Sequence, residues 1–287
     1  MPEALPRPRL LACDIDGTIL DARGTLRPAV SDAIALIAAS GVEVVLVTGR
    51  SPWSGVPELA VRLGLPGPHI TMQGALISVP ATGTIHRLRA LPAALYRDAI
   101  RLADELGIDP VVGLLDGHRA ERLPEGVDFI VPPQEGLRFR YVADLERLVD
   151  DGPVRIFLPT GPERHRRVRL AARERLAGRA SLVWSDLTGI EILAPGTSKG
   201  EAVAWLAARH GIGLDEVAAV GDAPNDLEML RVAGRSAAMG TAPGEVRAVA
   251  DMLVPTSDED GALDAFAWFF PELAVGRPAP HGPPRCR

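Results

Sequence analysis

Leu10-Leu11-Ala12-Cys13-Asp14-Ile15-Asp16-Gly17-Thr18 sets four apolar residues directly before two carboxylates that are one residue apart. A short, continuous apolar run of this kind reads as a strand buried on both faces of a parallel sheet. Gly17 permits the sharp departure of the chain beyond it. The pattern recurs at Val42 to Val47, a β-branched run ending at Thr48. Between the two runs, Pro28 suits a first helical position, Val30, Ile34 and Ile37 recur at helical spacing, and Gly41 is placed to end the helix. Together these segments predict one βαβ unit. A third run, Val217 to Val220, ends at Gly221-Asp222 and follows a helical stretch from Lys199 to about His210. Asp14, Thr48 and Asp222 therefore each sit just past the C-terminal end of a predicted strand, where open parallel sheets bind ligands.

The middle third is patterned differently. Ala75 to Val79 and Thr84 to Leu88 flank Pro80-Ala81-Thr82-Gly83 as a hairpin would. A helix near Pro92 to Leu106 follows, then strand-like runs at Val111 to Leu115, Arg155 to Leu158, Leu182 to Trp184 and Ile190 to Leu193, with a helix near Arg164 to Leu176. This mixture predicts a second α/β module inserted over residues 84–188 into a discontinuous domain formed by 1–83 and 189–275. Residues 276–287, rich in proline and without apolar periodicity, are expected to be a disordered tail.

Composition narrows the function classes. The 287 residues are 47% hydrophobic, enough for a large core. The net charge of −6 gives no general attraction to nucleic-acid phosphates, so no nucleic-acid partner is expected. Cys13 and Cys286 supply neither a disulfide framework nor metal-ligand spacing. No stretch approaches the length of a signal peptide's apolar core or of a membrane span. A cytoplasmic protein without a membrane partner is the expectation.

Two acids one residue apart at a strand end allow one to attack and the other to manage protons. Phosphoryl transfer asks for that division, together with cancellation of phosphate charge and an acid for the leaving oxygen. An EF-hand is excluded, because Asp14 to Thr25 lacks the alternating ligands and the later glutamate. Thr48-Gly49-Arg50 offers a hydroxyl and backbone N–H groups to a phosphate oxygen. Lys199, within Gly196-Thr197-Ser198-Lys199-Gly200, offers a compact positive charge, in an order that is not a Walker loop. Gly221-Asp222-Ala223-Pro224-Asn225-Asp226 adds acids of the kind magnesium binds.

Taken in order, Asp14-Ile15-Asp16-Gly17-Thr18, Thr48-Gly49-Arg50, Lys199-Gly200 and Gly221-Asp222 with Asn225-Asp226 resemble the four motifs of the haloacid dehalogenase phosphatases. Ser198-Lys199-Gly200, Ala238-Met239-Gly240 and Asp258-Glu259-Asp260-Gly261, with the insert after the second motif, narrow the resemblance to the Cof-like branch with a type IIB cap. The resemblance implies an α/β fold: a Rossmann-like core, with a parallel sheet carrying helices on both faces, and an inserted α/β cap. It implies a phosphatase of small phosphorylated metabolites, such as sugar phosphates, that works through an aspartyl-phosphate. Asp14 would be the nucleophile and Asp16 the general acid and base, while Thr48 and Lys199 hold phosphate. Ile15, Gly49, Arg50 and Asn225 would contribute to phosphate or substrate binding. Asp14, Asp16 through its carbonyl, Asp222 and Asp226 would form a Mg2+ site. A phosphotransferase or mutase using the same intermediate, or a non-catalytic sensor of phosphometabolites, are the alternatives. The chain departs from the branch at Gln73, Thr241 and Ser257, where asparagine is usual.

In the insert, Arg138 and Arg140 alternate with Phe139 and Tyr141, so a strand there would send both arginines to one face, toward an anionic substrate. Arg164-His165-Arg166-Arg167 with Arg169 is expected to be a solvated helix face.

Overall fold

The computed structural model describes residues 6–122 and 138–273; the proposed tail and Cys286 lie outside them. The chain divides into two compact units, one of residues 1–86 with 198–287 and one of residues 87–197.

Within the first unit the chain runs β1 (Leu10–Cys13), α1 (Pro28–Ala39), β2 (Glu43–Leu46), α2 (Val56–Arg62), β3 (His69–Thr71) and β4 (Leu76–Val79), with β5 (Thr84–Leu88) leading out. Strands β3, β4 and β5 make a small sheet beside the main one. The second unit comprises α3 (Ala93–Leu106), β6 (Val111–Leu114), β7 (Gly117–Ala120), β8 (Phe139–Tyr141), β9 (Arg155–Pro159), α4 (Gly161–Leu176), β10 (Ser181–Val183) and β11 (Gly189–Leu193). The chain returns through α5 (Lys199–Arg209), β12 (Val217–Gly221), α6 (Leu227–Val232), β13 (Arg235–Ala238), α7 (Gly244–Arg247), β14 (Met252–Leu253) and α8 (Gly261–Phe269).

The first unit's main sheet is parallel, in the order β14-β13-β12-β1-β2. Its apolar runs split by parity between two cores. Leu11, Cys13, Val44, Leu46, Ala218 and Val220 join Val30, Ile34 and Ile37 of α1 and Phe266 and Phe269 of α8. Leu10, Ala12, Val45, Val217 and Ala219 join Val203 and Leu206 of α5 and Met229 and Leu230 of α6. Burial on both faces is why these strands carry no polar alternation. Cys13 lies level with Val220 on one side and Leu46 on the other. The residues that follow, Asp14, Val47-Thr48 and Gly221-Asp222, therefore leave the sheet along one edge.

The second unit is a six-stranded sheet in the order β10-β11-β9-β6-β7-β8, antiparallel except for β7 with β8. One face packs Val112, Ile156, Leu158, Ile190 and Ile192 against α3 and α4. Here the boundaries differ from those expected. Gly189–Leu193 pairs along its whole length with β9 and also with β10, so the return to the first unit falls at 197/198 and not at 188/189. The first junction falls at 86/87, within β5.

The expected solvated basic face of α4 holds for the exposed Arg166 and Arg167 but not for its neighbours, and the strand beside Arg138 starts after it. Phe139–Tyr141 is a strand, but Arg138 precedes it, and Arg140 lies opposite Arg119, whose guanidinium is held by both oxygens of Asp116. On α4 the buried positions are His165, Val168, Ala172 and Leu176. Helical spacing thus puts His165 in the apolar stripe, 3.2 Å from the hydroxyl of Thr160. Arg164 turns inward to the Leu106 carbonyl at 2.6 Å, and Arg169 lies over the Trp184 ring at 4.8 Å. Among the described residues, no helix is long and apolar enough to cross a membrane.

Candidate active site

Asp14 is the first residue beyond β1, and its N–H is bonded to the Val220 carbonyl at 3.0 Å, so the sheet fixes its backbone. Its side chain is 6% exposed. One oxygen, Oδ1, accepts from Lys199 Nζ at 2.5 Å, and the other, Oδ2, lies 3.3 Å from the Thr18 hydroxyl. The same hydroxyl is 3.4 Å from Asp222 Oδ1, so Thr18 stands between the two carboxylates. Gly17, at φ +73°, carries the chain back over this point, and a Cβ there would collide with the Asp222 carboxylate.

Lys199 opens α5, whose N-cap Ser198 accepts from the Glu201 N–H. A lysine with 2% exposure must be paired. It meets Asp14 at 2.5 Å and Asp226 Oδ1 at 2.7 Å. Burial alone would lower the pKa of its ammonium, but the two carboxylates outweigh burial and raise it, so Lys199 stays charged. Asp226 gives its second oxygen to the backbone N–H groups of Asp222 and Ala223, at 3.0 Å each. This carboxylate thus folds the loop after β12 and anchors the lysine at once.

Thr48 lies buried at the end of β2. Its N–H binds the Ile70 carbonyl and its carbonyl accepts from Gln73. The hydroxyl accepts from the Arg50 N–H at 3.1 Å, which leaves its own hydrogen free to turn toward an anion.

Asp16 occupies a different place. Its side chain is 57% exposed, and both of its oxygens are held by the Arg50 guanidinium. Arg50, assigned from sequence to phosphate, therefore engages the second acid and the Ser54 carbonyl. Asn225, assigned to the same task, gives its amide N–H to Gln73 Oε1 at 2.9 Å. Ile15 is fully buried in the first core, so its side chain has no access to a ligand and any contribution comes from its backbone.

The donor set fits a hard divalent cation. Asp14, Asp222 and Asp226 each offer an oxygen within 4.8 Å of the others. Their negative charge exceeds what Lys199 cancels. Burial, then repulsion from Asp226, raises the Asp14 pKa well above the carboxylate range, and the same two causes push Asp222 up to about 7. An ion held by all-oxygen ligands would relieve that strain. Both Asp226 oxygens are already engaged by Lys199 and by backbone, which leaves Asp14 and Asp222 as the more available ligands. The Asp16 carboxylate is not part of the cluster, consistent with only its backbone carbonyl being a ligand candidate.

Two contributors to this arrangement carry no role from sequence alone. Thr18 sits inside the first motif, and its position four residues after Asp14 was the available signal. Gln73 stood out only as a departure from the usual asparagine.

Comparison with known proteins agrees with this geometry. The profile of the haloacid dehalogenase-like hydrolases matches residues 11–266. Phosphatase YwpJ of Bacillus subtilis is 28% identical, over 88% of this chain and 96% of its own length. Pyridoxal phosphate phosphatase YbhA of Escherichia coli is 27% identical, over 91% and 97%. The chloroplastic endoribonuclease YBEY of Arabidopsis thaliana is 27% identical over 91% of this chain, which spans only 46% of that protein. Among solved structures, a haloalkanoate dehalogenase superfamily phosphatase from Bacteroides thetaiotaomicron superposes with a TM-score of 0.79 at 25% identity, covering 94% and 99% of the two chains. A subclass IIB sugar phosphatase superposes at 0.80 with 23% identity, covering 91% and 98%. With the profile spanning most of its length, and three motif segments on one sheet edge with Lys199 reaching Asp14 from the start of α5, the chain belongs to the haloacid dehalogenase-like hydrolase family and has the fold of its subclass IIB.

Proposed function

We propose that this phosphatase hydrolyses small phosphorylated metabolites by transferring the phosphoryl group to Asp14 and then to water, with magnesium at Asp14 and Asp222. The observation that carries the reading is the Asp14 carboxylate, buried and held between Lys199 and Thr18 on the sheet edge that also presents Thr48 and Asp222. A carboxylate fixed in this way has lost its rotational freedom before substrate arrives.

In the first step an oxygen of Asp14 bonds to phosphorus while the ester P–O bond breaks, and the departing alkoxide takes a proton from Asp16. In the second, Asp16 accepts a proton from water as its oxygen attacks phosphorus, and the P–O bond to Asp14 breaks. Lys199 and the Thr48 hydroxyl hold the non-bridging phosphate oxygens. Bound at the acidic cluster, the metal ion would neutralise phosphate charge and lessen its repulsion from Asp14. Asp226 keeps Lys199 and the Asp222 loop in place through both steps.

That relatives of similar length include one named for pyridoxal phosphate supports a small phosphomonoester as substrate. The test is phosphate release from a panel of such esters. Activity is expected to disappear on exhaustive chelation and to return with magnesium. Borohydride treatment of protein quenched during turnover should convert Asp14 to homoserine. Full activity in chelated protein would reject the metal, and an unmodified Asp14 in a quenched, active sample would reject the covalent step.

A further inference from the structure

Met72, Gln73 and Gly74 have φ values of 50°, 60° and 97°, three successive residues in the left-handed region. For the two that are not glycine this geometry is unfavourable by roughly 1–2 kcal/mol per residue. Asparagine tolerates it better than glutamine does, because its shorter side chain can bond locally. A glutamine here needs a compensating contact.

The turn touches three of the four segments that carry the site. The Met72 N–H bonds to the Arg50 carbonyl at 2.9 Å, and the Gln73 N–H to the Thr48 carbonyl at 3.1 Å. Gly74 lies so close to the Ser198 carbonyl, one residue before Lys199, that a Cβ would collide with it. The Gln73 side chain is 1% exposed, and its carboxamide lies over Gly49 so tightly that a Cβ at Gly49 would strike it. Its Oε1 accepts from Asn225 Nδ2 at 2.9 Å. Asn225 is followed by Asp226, which holds Lys199 and the N–H groups of Asp222 and Ala223. A single carboxamide thus spans from the loop bearing the phosphate-facing hydroxyl to the loop bearing the acids.

We propose that Gln73 is a positioning residue, whose buried carboxamide fixes the Thr48-Gly49-Arg50 loop against the Asn225-Asp226 loop and so sets the spacing between Thr48 and the Asp222 carboxylate. It touches no reacting atom. Asparagine at this position would ease the backbone but fall one methylene short of Asn225. The extra length of glutamine is what the strained turn supports.

The kinetic part of the test rests on the phosphatase reading. The variants are Gln73→Asn, which keeps the amide and suits φ > 0, Gln73→Leu, which keeps a side chain of similar bulk without the hydrogen bond, Asn225→Ala, and the Gln73→Leu/Asn225→Ala double variant. Gln73→Asn is expected to melt within about 2 °C of the parent or above it. Its kcat toward p-nitrophenyl phosphate should nevertheless fall about 10-fold to 100-fold, with KM changed less than about twofold, because misplacement by a fraction of an ångström acts on the transition state. Gln73→Leu and Asn225→Ala should each lower kcat about 10-fold, and the double variant no further, as coupled partners do. A purely structural role predicts that activity follows melting temperature. Near-parental kcat in Gln73→Asn, a loss confined to KM, or single effects that multiply in the double variant would each overturn the proposal.

A second readout needs no activity. Hydrogen exchange at the Asp222 and Ala223 amides, which bond to Asp226, should accelerate about 10-fold or more in Gln73→Leu while amides of β1 do not. Unchanged exchange there would overturn the link even if the parent hydrolysed no ester. A parent without turnover but with the accelerated exchange would reject the phosphatase reading and leave the link standing.

Discussion

Two residues along the chain from the buried Asp14, the carboxylate of Asp16 stands more than half in solvent, and the comparison shows how one short motif yields two environments. Asp14 is crowded by Asp222 and Asp226 and steadied by Lys199 and Thr18. Asp16 has one partner, the fork of Arg50, at the rim. A nucleophile benefits from being immobile and desolvated, whereas an acid and base that must exchange protons with leaving group and water benefits from being reachable. Gly17 follows the pair, and its left-handed backbone carries the chain back so that Thr18 stands between Asp14 and Asp222.

The largest effect should come from breaking the buried half. Asp14→Asn keeps the shape but cannot attack phosphorus, so turnover should fall by roughly 10,000-fold or more. Because burial and neighbouring acids oppose the charge of Asp14, removing that charge should leave the melting temperature at or above the parent's. Lys199 keeps Asp226 as its counterion. Loss of activity with unfolding would show that Asp14 is structural, and retained turnover in a folded variant would reject it as nucleophile. At the exposed half, Asp16→Asn should slow turnover by roughly 100-fold to 10,000-fold, the range for losing general acid and base catalysis. Its melting temperature should stay within about 2 °C of the parent's, since exposed ion pairs contribute about 0–1 kcal/mol. A negligible rate change would remove Asp16 from the mechanism.

How much of this was legible in sequence differed between the two units for a physical reason. Leu10 to Cys13 and Val217 to Val220 are buried on both faces, so they are wholly apolar and stand out, and each ends at a site residue. The helices flanking them kept their period, and Pro28 holds the first position of α1 as its type suggested. In the second unit the sheet packs helices on one face, and its strands blend into their surroundings. Gly117–Ala120 carries His118 and Arg119 and shows no apolar run, so it escaped notice, and the full pairing of Gly189–Leu193 with β9 could not be read without knowing its partner. Within the candidate site, Asp14, Thr48 and Asp222 stood out through their place after strands, and Lys199 through its place at the start of a helix. The direction of Arg50 toward Asp16, and of Asn225 toward Gln73, depended on contacts between distant segments that no local spacing encodes.

The smallest effect sharpens the same contrast through protons. Burial, and then repulsion from Asp226, pushes Asp222 up to about 7, and Asp14 is raised as well. An unfolded carboxylate titrates near pH 4. Between about pH 4 and about 7 the folded, metal-free protein therefore binds more protons than the unfolded chain, and the linkage slope is negative there. The contribution is fully present below the unfolded pKa, is lost as pH rises toward 7, and stays lost above that. Asp222→Asn removes one source of this slope. Melting in chelator at pH 5, 6, 7 and 8 should thus show Asp222→Asn losing less stability than the parent across the window, by roughly 2–4 °C for each kcal/mol involved. Magnesium competes with the same protons, so its stabilisation of the parent should grow over that pH range and shrink in Asp222→Asn. Parallel curves for Asp222→Asn and the parent would mean that the acidic cluster is not strained.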